Sequence, residues 1–548
     1  MHAGEVTYRS LRESFRWDLP ERCNIAVACA DVHAATSLAM IEIVGGRVRE
    51  HTFGHITEGS NRLANGLDGL GVTRGDRVGI VLPQGFDVAI AHLAVYKLGA
   101  IAVPMTQLFG PEAIRHRLAD SGARVVVTDT TTLDVVAEVA GELDDVTVVV
   151  AADTVTSPHV RLQDLLERAS VRAEVAPTGP DDPALLIYTS GTTGSPKGAL
   201  HGHRVLAGHL SGFDLMFDRF PHPDDRMWTP ADWAWIGGLL DAFLPAWSHG
   251  RPVIATPRAR FDPEWAVALM AEHGVTTAFL PPTALKLMRQ ADATAGDLQL
   301  RSVMSGGESL GSEMLSWGRE HLGVTINEIY GQTEANLLVG NSAAIWDVRP
   351  GSMGRPYPGH EVAVLADDGA IAPPGVEGEL VVRAPDPVLM LRYWNQPEAT
   401  EEKFVDVPDG AGGTHRWLRT GDVGTVDDDG YFWFTARDDD VIISAGYRIG
   451  PAEIEECIIG HPAVALAAAV GVPDEVRGEV VKAFVTLADG VAPSAELRDE
   501  IRQRVRTQLA AYEYPREVEF VDELPLTTTG KIRRRDLRDR EIARAAGT

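Results

Sequence analysis

The chain has 548 residues, 45% hydrophobic and 23% charged, a balance of globular domains that excludes disordered, collagen-like and coiled-coil classes. At about 150 residues per domain the length predicts three to four structural units. Asp and Glu outnumber Lys and Arg 78 to 50, a net charge of −28. That charge argues against nucleic-acid binding and a polybasic membrane anchor, while leaving room for a local basic site for a small anion.

Residues 75–128 alternate apolar strands with helical stretches. Val78–Leu82, Ala100–Pro104 and Ala123–Thr128 read as strands, and Phe86–Leu98 as a helix ending near Gly99. This alternation predicts parallel sheet. It recurs at Ala184–Thr189, Pro252–Ala255, Thr277–Leu280 and Leu300–Met304. From about Gly351, short strands (Glu361–Leu365, Gly378–Arg383, Gly430–Thr435) are broken by Gly, Pro and Asp. After Ala436 comes a last module. It has a strand at Val441–Ser444, a helix opened by Pro451 and strands at Val464–Val472 and Val480–Leu487. A helix stripe follows at Leu497, Ile501, Val505 and Leu509. The expected fold is α/β. A large N-terminal domain, 1–437, contains two α/β sheet subdomains and a β-rich subdomain at about 351–437. A small α+β domain, 438–548, completes the chain, with Arg437-Asp-Asp-Asp440 as the junction.

Three cysteines fit a reducing compartment rather than a disulfide framework. The sequence shows no signal-peptide pattern and no apolar run near the ~18 residues of a membrane span. A cytoplasmic protein with no membrane span is expected, and a homo-oligomer is compatible with it.

Only six basic residues are lysines: Lys97, Lys197, Lys286, Lys403, Lys482 and Lys531. Where arginine is so favoured, a retained lysine marks a place where a slim point charge serves better than a wide planar fork, or where either would serve. Lys197 closes Tyr188-Thr-Ser-Gly-Thr-Thr-Gly-Ser-Pro-Lys-Gly198, directly after a strand. Its glycines expose backbone N–H groups, its hydroxyls add donors and the lysine adds charge, a chemistry suited to phosphate. Pro196 and Gly198 around the lysine distinguish it from a Walker A loop.

This segment closely resembles the signature of the adenylate-forming enzymes. Tyr330-Gly-Gln-Thr-Glu334, Arg419-Thr-Gly-Asp422, Arg437, Gly446-Tyr-Arg-Ile-Gly-Pro451 and Pro525-Leu-Thr-Thr-Thr-Gly-Lys531 resemble its later motifs, in the same order. Val441–Glu455 and Arg477–Phe484 are most similar to medium-chain acyl-CoA synthetases. The resemblance implies a carboxylate attacking the α-phosphate of ATP, then coenzyme A displacing AMP from the acyl-adenylate. ATP, coenzyme A, Mg²⁺ and a small carboxylic acid are the implied ligands.

By the same resemblance, Thr189, Ser190, Gly191, Thr192, Thr193, Gly194 and Lys197 would hold the β- and γ-phosphates. Thr333 would bond the α-phosphate and Glu334 would bind Mg²⁺. Gly306, Gly307, Glu308, Glu328, Tyr330 and Gln332 would form the adenine pocket, with Tyr330 stacking on the base. Asp422 would accept the ribose hydroxyls and Arg437 would reach ribose or phosphate. Lys531 would bridge carboxylate and α-phosphate during adenylation. Asp439 falls at the hinge about which the small domain turns between half-reactions. Gly446, Tyr447, Arg448 and Arg477 would then line the coenzyme A path.

Acetate-specific members of the family carry tryptophan at the position of Gly331. Glycine therefore implies a larger acid, medium-chain, branched or aryl, in a pocket lined by Trp233, Trp235, Gly237, Gly238 and Gly331. Gly331→Trp is expected to favour shorter acids. Ala335-Asn336 departs from the Thr/Ser-Gly of many members. Two other readings remain at this point. A carrier-protein thiol could replace coenzyme A as acceptor. Gly307-Glu-Ser-Leu-Gly311 also matches the nucleophile elbow of serine esterases, with Ser309 as nucleophile.

Overall fold

The computed structural model describes residues 6–189, 196–257, 261–293, 296–307, 310–409, 412–437, 440–444, 447–474, 478–509, 513–527 and 531–546, with backbone alone at 443, 447, 448, 453, 478, 545 and 546. It is a mixed α/β protein with a large N-terminal domain and a smaller C-terminal one. The chain divides into two compact units. The first comprises Met1–Val362, Val382–Asp406 and His415–Leu418, and the second Ala363–Val381, Val407–Thr414 and Arg419–Thr548.

The first unit is built on two sheets. An eight-stranded sheet runs in the order Arg392–Tyr393, Lys197–Gly202, Pro183–Thr189, Ile101–Pro104, Arg77–Val81, Val125–Asp129, Thr147–Ala151 and Val160–Arg161. From Pro183–Thr189 to Val160–Arg161 every pairing is parallel. These strands are short Val/Ile/Leu/Ala runs buried on both faces, the pattern of parallel sheet covered by helices. The helix Phe86–Lys97 is apolar nearly all round and is buried from Val88 onward. Even Lys97 is wholly buried, its Nζ 2.7 Å from both Asp31 Oδ1 and Asn61 Oδ1.

A nine-stranded sheet runs in the order Arg355–Pro356, Ala335–Gly340, Ile326–Gln332, Ser302–Gly306, Thr277–Phe279, Met227–Trp228, Val253–Ala255, Leu38–Val44 and Arg47–Thr52. Its last two strands form a hairpin through Gly45 and Gly46, both with positive φ (56° and 75°), which suits a two-residue turn. One core of this unit packs Trp228, Ile254, Val303 and Ile326 against helices carrying Met270, Leu285 and Met314.

The second unit holds most of a five-stranded sheet from the Val362–Arg437 stretch and, C-terminal to it, a second five-stranded sheet. There Val464–Asp474 and Gly478–Leu487 form a long antiparallel pair flanked by Ile442–Ser444, Tyr447–Ile449 and Glu517–Phe520. The helix Ala495–Gln508 buries the stripe Leu497, Ile501 and Val505, and Ser494 caps it by accepting the Leu497 N–H at 3.1 Å. Arg534–Ala546 adds a last helix. No helix among the described residues is long and apolar enough to cross a membrane.

Candidate active site

Two antiparallel strands flank the Ser/Thr/Gly-rich segment. Pro183–Thr189 leads in and Lys197–Gly202 leads out, with Thr189 paired to Lys197. Ser190, Gly191, Thr192, Thr193 and Gly194 lie outside the described residues. The hairpin sets the flanking Thr189 and Lys197 side by side, and the Thr189 hydroxyl lies 3.5 Å from the Lys197 carbonyl.

Lys197 belongs to a wider group. The strand Arg392–Tyr393 pairs with Lys197–Gly202, and Lys197 Nζ sits 5.3 Å from the Tyr393 ring centre. The Tyr393 hydroxyl in turn donates to Glu334 Oε1 at 2.6 Å, and the Met390 N–H donates to the Glu334 carbonyl at 2.8 Å. His201, on the same hairpin strand as Lys197, holds the Thr333 carbonyl at 2.8 Å. A carbonyl only accepts, so His201 Nε2 carries the proton. Burial pushes this imidazole down to about 4, which keeps it neutral at pH 7. Lys197 and the adjacent Thr333 and Glu334, far from it in sequence, are thus linked through His201 and Tyr393.

Glu334 is 9% exposed, and Oε2 carries no hydrogen bond among the described residues. A Mg²⁺ carried by nucleotide needs only one or two protein carboxylates besides phosphates and water. Glu334 fits that role: one oxygen is fixed and one is left for the ion. No group of three His, Cys, Asp or Glu side chains able to hold a metal occurs among the described residues.

Tyr330, Gly331 and Gln332 end the strand Ile326–Gln332, next to the strand that ends at Gly306. Glu328 is buried on the former. Gly307 follows with φ of 98°, and Glu308 and Ser309 lie outside the described residues. Gly331 lies against the returning strand. A Cβ there would meet the Leu337 backbone nitrogen and lie 2.8 Å from Asn336 Oδ1 and 2.9 Å from Asn336 Cα. The side of Gly331 that a side chain would fill is therefore taken by Asn336 and Leu337, not by open space.

Trp233 is 2% exposed and stacks on Phe243 with ring centres 4.0 Å apart, so it is core. Trp235 is partly exposed and meets Phe109 edge-on at 5.8 Å. Gly237 approaches Phe279, whose Cε1 would stand 2.9 Å from an added Cβ. Gly238 is buried in the following turn of helix.

The remaining candidates belong to the second unit. Asp422 and Arg437 are cross-strand partners, with Arg437 Nε 3.8 Å from Asp422 Oδ1. Glu379 fixes the turn before them by accepting from Arg419 Nε at 2.7 Å and the Gly421 N–H at 2.9 Å. The Thr420 hydroxyl donates to the Leu380 carbonyl at 2.7 Å and accepts the Asp422 N–H at 3.1 Å. Lys531 is exposed and closes a turn with Thr527 through bonds of 2.7 and 3.0 Å. Of the three arginines after it, Arg534 grips both oxygens of Glu455 at 2.8 and 2.6 Å. Arg533, just before the helix, pairs with Asp536, and Arg535 pairs with Asp539.

Gly446, Arg477 and Asp439 lie outside the described residues, and Tyr447 and Arg448 are described by backbone alone. Among the described residues the backbone pairs Ser444 with both Tyr447 and Gly478.

Tyr393, His201 and Asn336 were not singled out as site residues in the sequence. Tyr393 lies in an aromatic pair, Tyr393-Trp394, whose partners only the fold reveals.

Two strands flanking a Ser/Thr/Gly segment beside a Thr-Glu pair, in a chain that also carries a cross-strand Asp–Arg pair and a C-terminal lysine, are the features expected of an adenylate-forming ligase. The sequence matches the AMP-binding enzyme family over residues 30–394 and the AMP-binding enzyme C-terminal domain over 453–531. It is 35% identical to acetyl-coenzyme A synthetase of Bacillus subtilis, over 96% of this chain and 92% of that protein. It is 33% identical to the mitochondrial acyl-coenzyme A synthetase ACSM3 of Mus musculus, over 97% and 93%. Among solved structures, an anthranilate CoA ligase, AuaEII, in complex with anthranoyl-AMP superposes with a TM-score of 0.86 at 29% identity, covering 96% of this chain and 99% of that one. An acyl-CoA synthetase of Brucella canis superposes at 0.73 with 32% identity, covering 98% and 99%. The chain belongs to the AMP-binding enzyme family. It is an AMP-forming acid–thiol ligase, an acyl-CoA synthetase using ATP and coenzyme A, with Mg²⁺ accompanying the nucleotide. Nothing in these comparisons supports a serine esterase.

Proposed function

We propose that this acyl-CoA synthetase activates an acid larger than acetate: a medium-chain, branched or aryl carboxylic acid. The observation that carries this reading is Trp235, whose ring is left partly exposed against Phe109 while its neighbour Trp233 is fully packed. A partly open aromatic surface suits an apolar acyl group, each buried CH₂ contributing about 0.8 kcal/mol. At Gly331 no side chain projects, and Asn336 and Leu337 bound that face instead.

In the first half-reaction a carboxylate oxygen attacks the α-phosphorus, and the bond to the β-phosphate oxygen breaks, releasing pyrophosphate. A carboxylate needs no base, so the protein's work is positioning and charge neutralisation. Lys197 and the loop Thr189–Gly194 hold the β- and γ-phosphates, Thr333 bonds the α-phosphate, and Glu334 offers Oε2 to Mg²⁺. Glu328, Tyr330, Gln332 and the Gly306–Glu308 turn receive adenine, and Asp422 with Arg437 receives the ribose. Lys531 neutralises the charge gathering between carboxylate and α-phosphate. In the second half-reaction the coenzyme A thiolate attacks the acyl carbon and AMP leaves. Gly446, Tyr447, Arg448 and Arg477 line its path after the C-terminal domain, 438–548, turns about Asp439. The pairing of Ser444 with both Tyr447 and Gly478 supports this grouping.

The test is coenzyme A thioester formation across acetate, hexanoate, octanoate, isovalerate and benzoate. Higher kcat/KM for one of the larger acids is expected; a preference for acetate overturns the assignment.

A further inference from the structure

Beside the two glycines Gly237 and Gly331 runs a buried polar chain that the adenylation chemistry does not use. His209, Asn336 and Asp241 are 0%, 3% and 2% exposed. His209 Nδ1 lies 2.6 Å from the Val205 carbonyl, an acceptor, so Nδ1 carries the proton and Nε2 offers a lone pair. Asn336 Nδ2 stands 3.1 Å from that Nε2 and 2.7 Å from Asp241 Oδ1. This settles the amide's orientation: both N–H donors are spent on His209 and Asp241. Turned over, its oxygen would face a lone pair and a carboxylate.

Two acceptors are then left over. Neither Asn336 Oδ1 nor Asp241 Oδ2 has a hydrogen-bond donor among the described residues. Both face the glycines: the Cβ position of Gly331 is 2.8 Å from Asn336 Oδ1, and that of Gly237 is 3.7 Å from Asp241 Oδ2. Burial pushes the Asp241 carboxyl up to about 7, opposed by its bond from Asn336. An acceptor that no protein donor meets favours a ligand that brings one.

Resting on the reading that Gly237 and Gly331 border the acyl pocket, we propose that Asp241 and Asn336 select acids whose acyl group carries a hydrogen-bond donor, a hydroxyl or an amine, over the unsubstituted acid. His209 acts as a positioning residue that fixes the Asn336 amide. A purely apolar pocket discriminates weakly against an added hydroxyl, whereas buried acceptors reject the analogue that leaves them unpaired.

The experiment measures kcat/KM for matched acids: hexanoate with its 3-, 4-, 5- and 6-hydroxy derivatives, and benzoate with 2-, 3- and 4-aminobenzoate. The wild-type protein should prefer at least one donor-bearing acid over its parent by tenfold or more. Asp241→Leu should reverse that preference. Asp241→Asn, whose single oxygen must accept from Asn336 and which therefore turns an N–H toward the acyl group, should lose selection for a donor while keeping the side-chain volume. A wild-type preference for every unsubstituted parent overturns the proposal even if a variant does not fold. A substituted-to-parent ratio unchanged in Asp241→Leu overturns it too, since a merely structural Asp241 would lower both rates together. Failure to activate any acid would overturn the reading of the site itself, and this inference with it.

Discussion

The Tyr393 hydroxyl donates to Glu334 Oε1 at 2.6 Å, tying a residue of the 392–393 strand to the carboxylate best placed for Mg²⁺. The same ring lies 5.3 Å from Lys197 Nζ, so one side chain touches both Lys197 and Glu334, the residues proposed to serve the phosphates and Mg²⁺. Tyr393→Phe keeps the ring and removes only the hydroxyl. A hydrogen bond to a charged group contributes about 1.5–3 kcal/mol, so adenylation kcat/KM should fall roughly ten- to hundredfold. The Mg²⁺ concentration for half-maximal rate should rise with it. An unchanged Mg²⁺ dependence would show that Tyr393 only packs.

Gly331 bears on chain length in a different way from the sequence expectation. Because a Cβ would strike the Leu337 backbone nitrogen, a larger residue cannot simply plug the pocket. Gly331→Ala should lower activity on short and long acids alike and reduce stability by about 1–3 kcal/mol through overpacking. A selective gain on acetate by Gly331→Trp, with normal stability, would contradict this and restore the plug.

Lys97 tests the logic of the scarce lysines. Its Nζ is wholly buried between Asp31 and Asn61, where a guanidinium would not fit. Lys97→Arg should lower stability by roughly 1–3 kcal/mol in denaturant titration while leaving KM for ATP unchanged. A variant of wild-type stability would remove the steric argument.

His92 is fully buried, with Nδ1 3.0 Å from the Tyr96 hydroxyl, and burial holds it down at about 3. The unfolded chain takes up this proton near 6.5 and the native protein does not. Stability is therefore lost as pH falls below about 6.5. Between pH 7 and pH 5 the wild-type protein should lose about 2 kcal/mol relative to His92→Gln. Equal pH dependence of the two unfolding curves would contradict the depressed value.

Much of this was legible in the sequence, for identifiable reasons. Parallel strands buried on both faces write themselves as short apolar runs, so Val125–Asp129 and Pro183–Thr189 were marked to within two residues. The stripe Leu497, Ile501, Val505 marked its helix. The hairpin Leu38–Thr52 was missed, although Gly45-Gly46 is a two-residue turn signal, because its second strand is mostly exposed and polar. The helix Arg534–Ala546 is strongly polar and opens on arginines, so the sequence pattern assigns no element there. Among its described side chains Leu537 is the one apolar residue that is buried, and Arg534 is held by Glu455. The lysine count pointed to Lys197 and Lys531 but equally marked Lys97 and Lys482, the latter 2.7 Å from Glu541 and 2.9 Å from Glu519. Contacts such as Tyr393–Glu334 and Asn336–Asp241 join residues 59 and 95 positions apart, and only the fold closes them.

The proposed two-step reaction assigns Lys531 to the first step. ATP–pyrophosphate exchange measured across the acid panel, for the wild type and Lys531→Ala, tests it most directly, together with thioester formation from supplied acyl-adenylate. Acid-dependent exchange by the wild type is expected. Lys531→Ala should lose that exchange, while its conversion of acyl-adenylate to acyl-CoA falls far less. No exchange with any acid, or equal loss of both steps in Lys531→Ala, would contradict it.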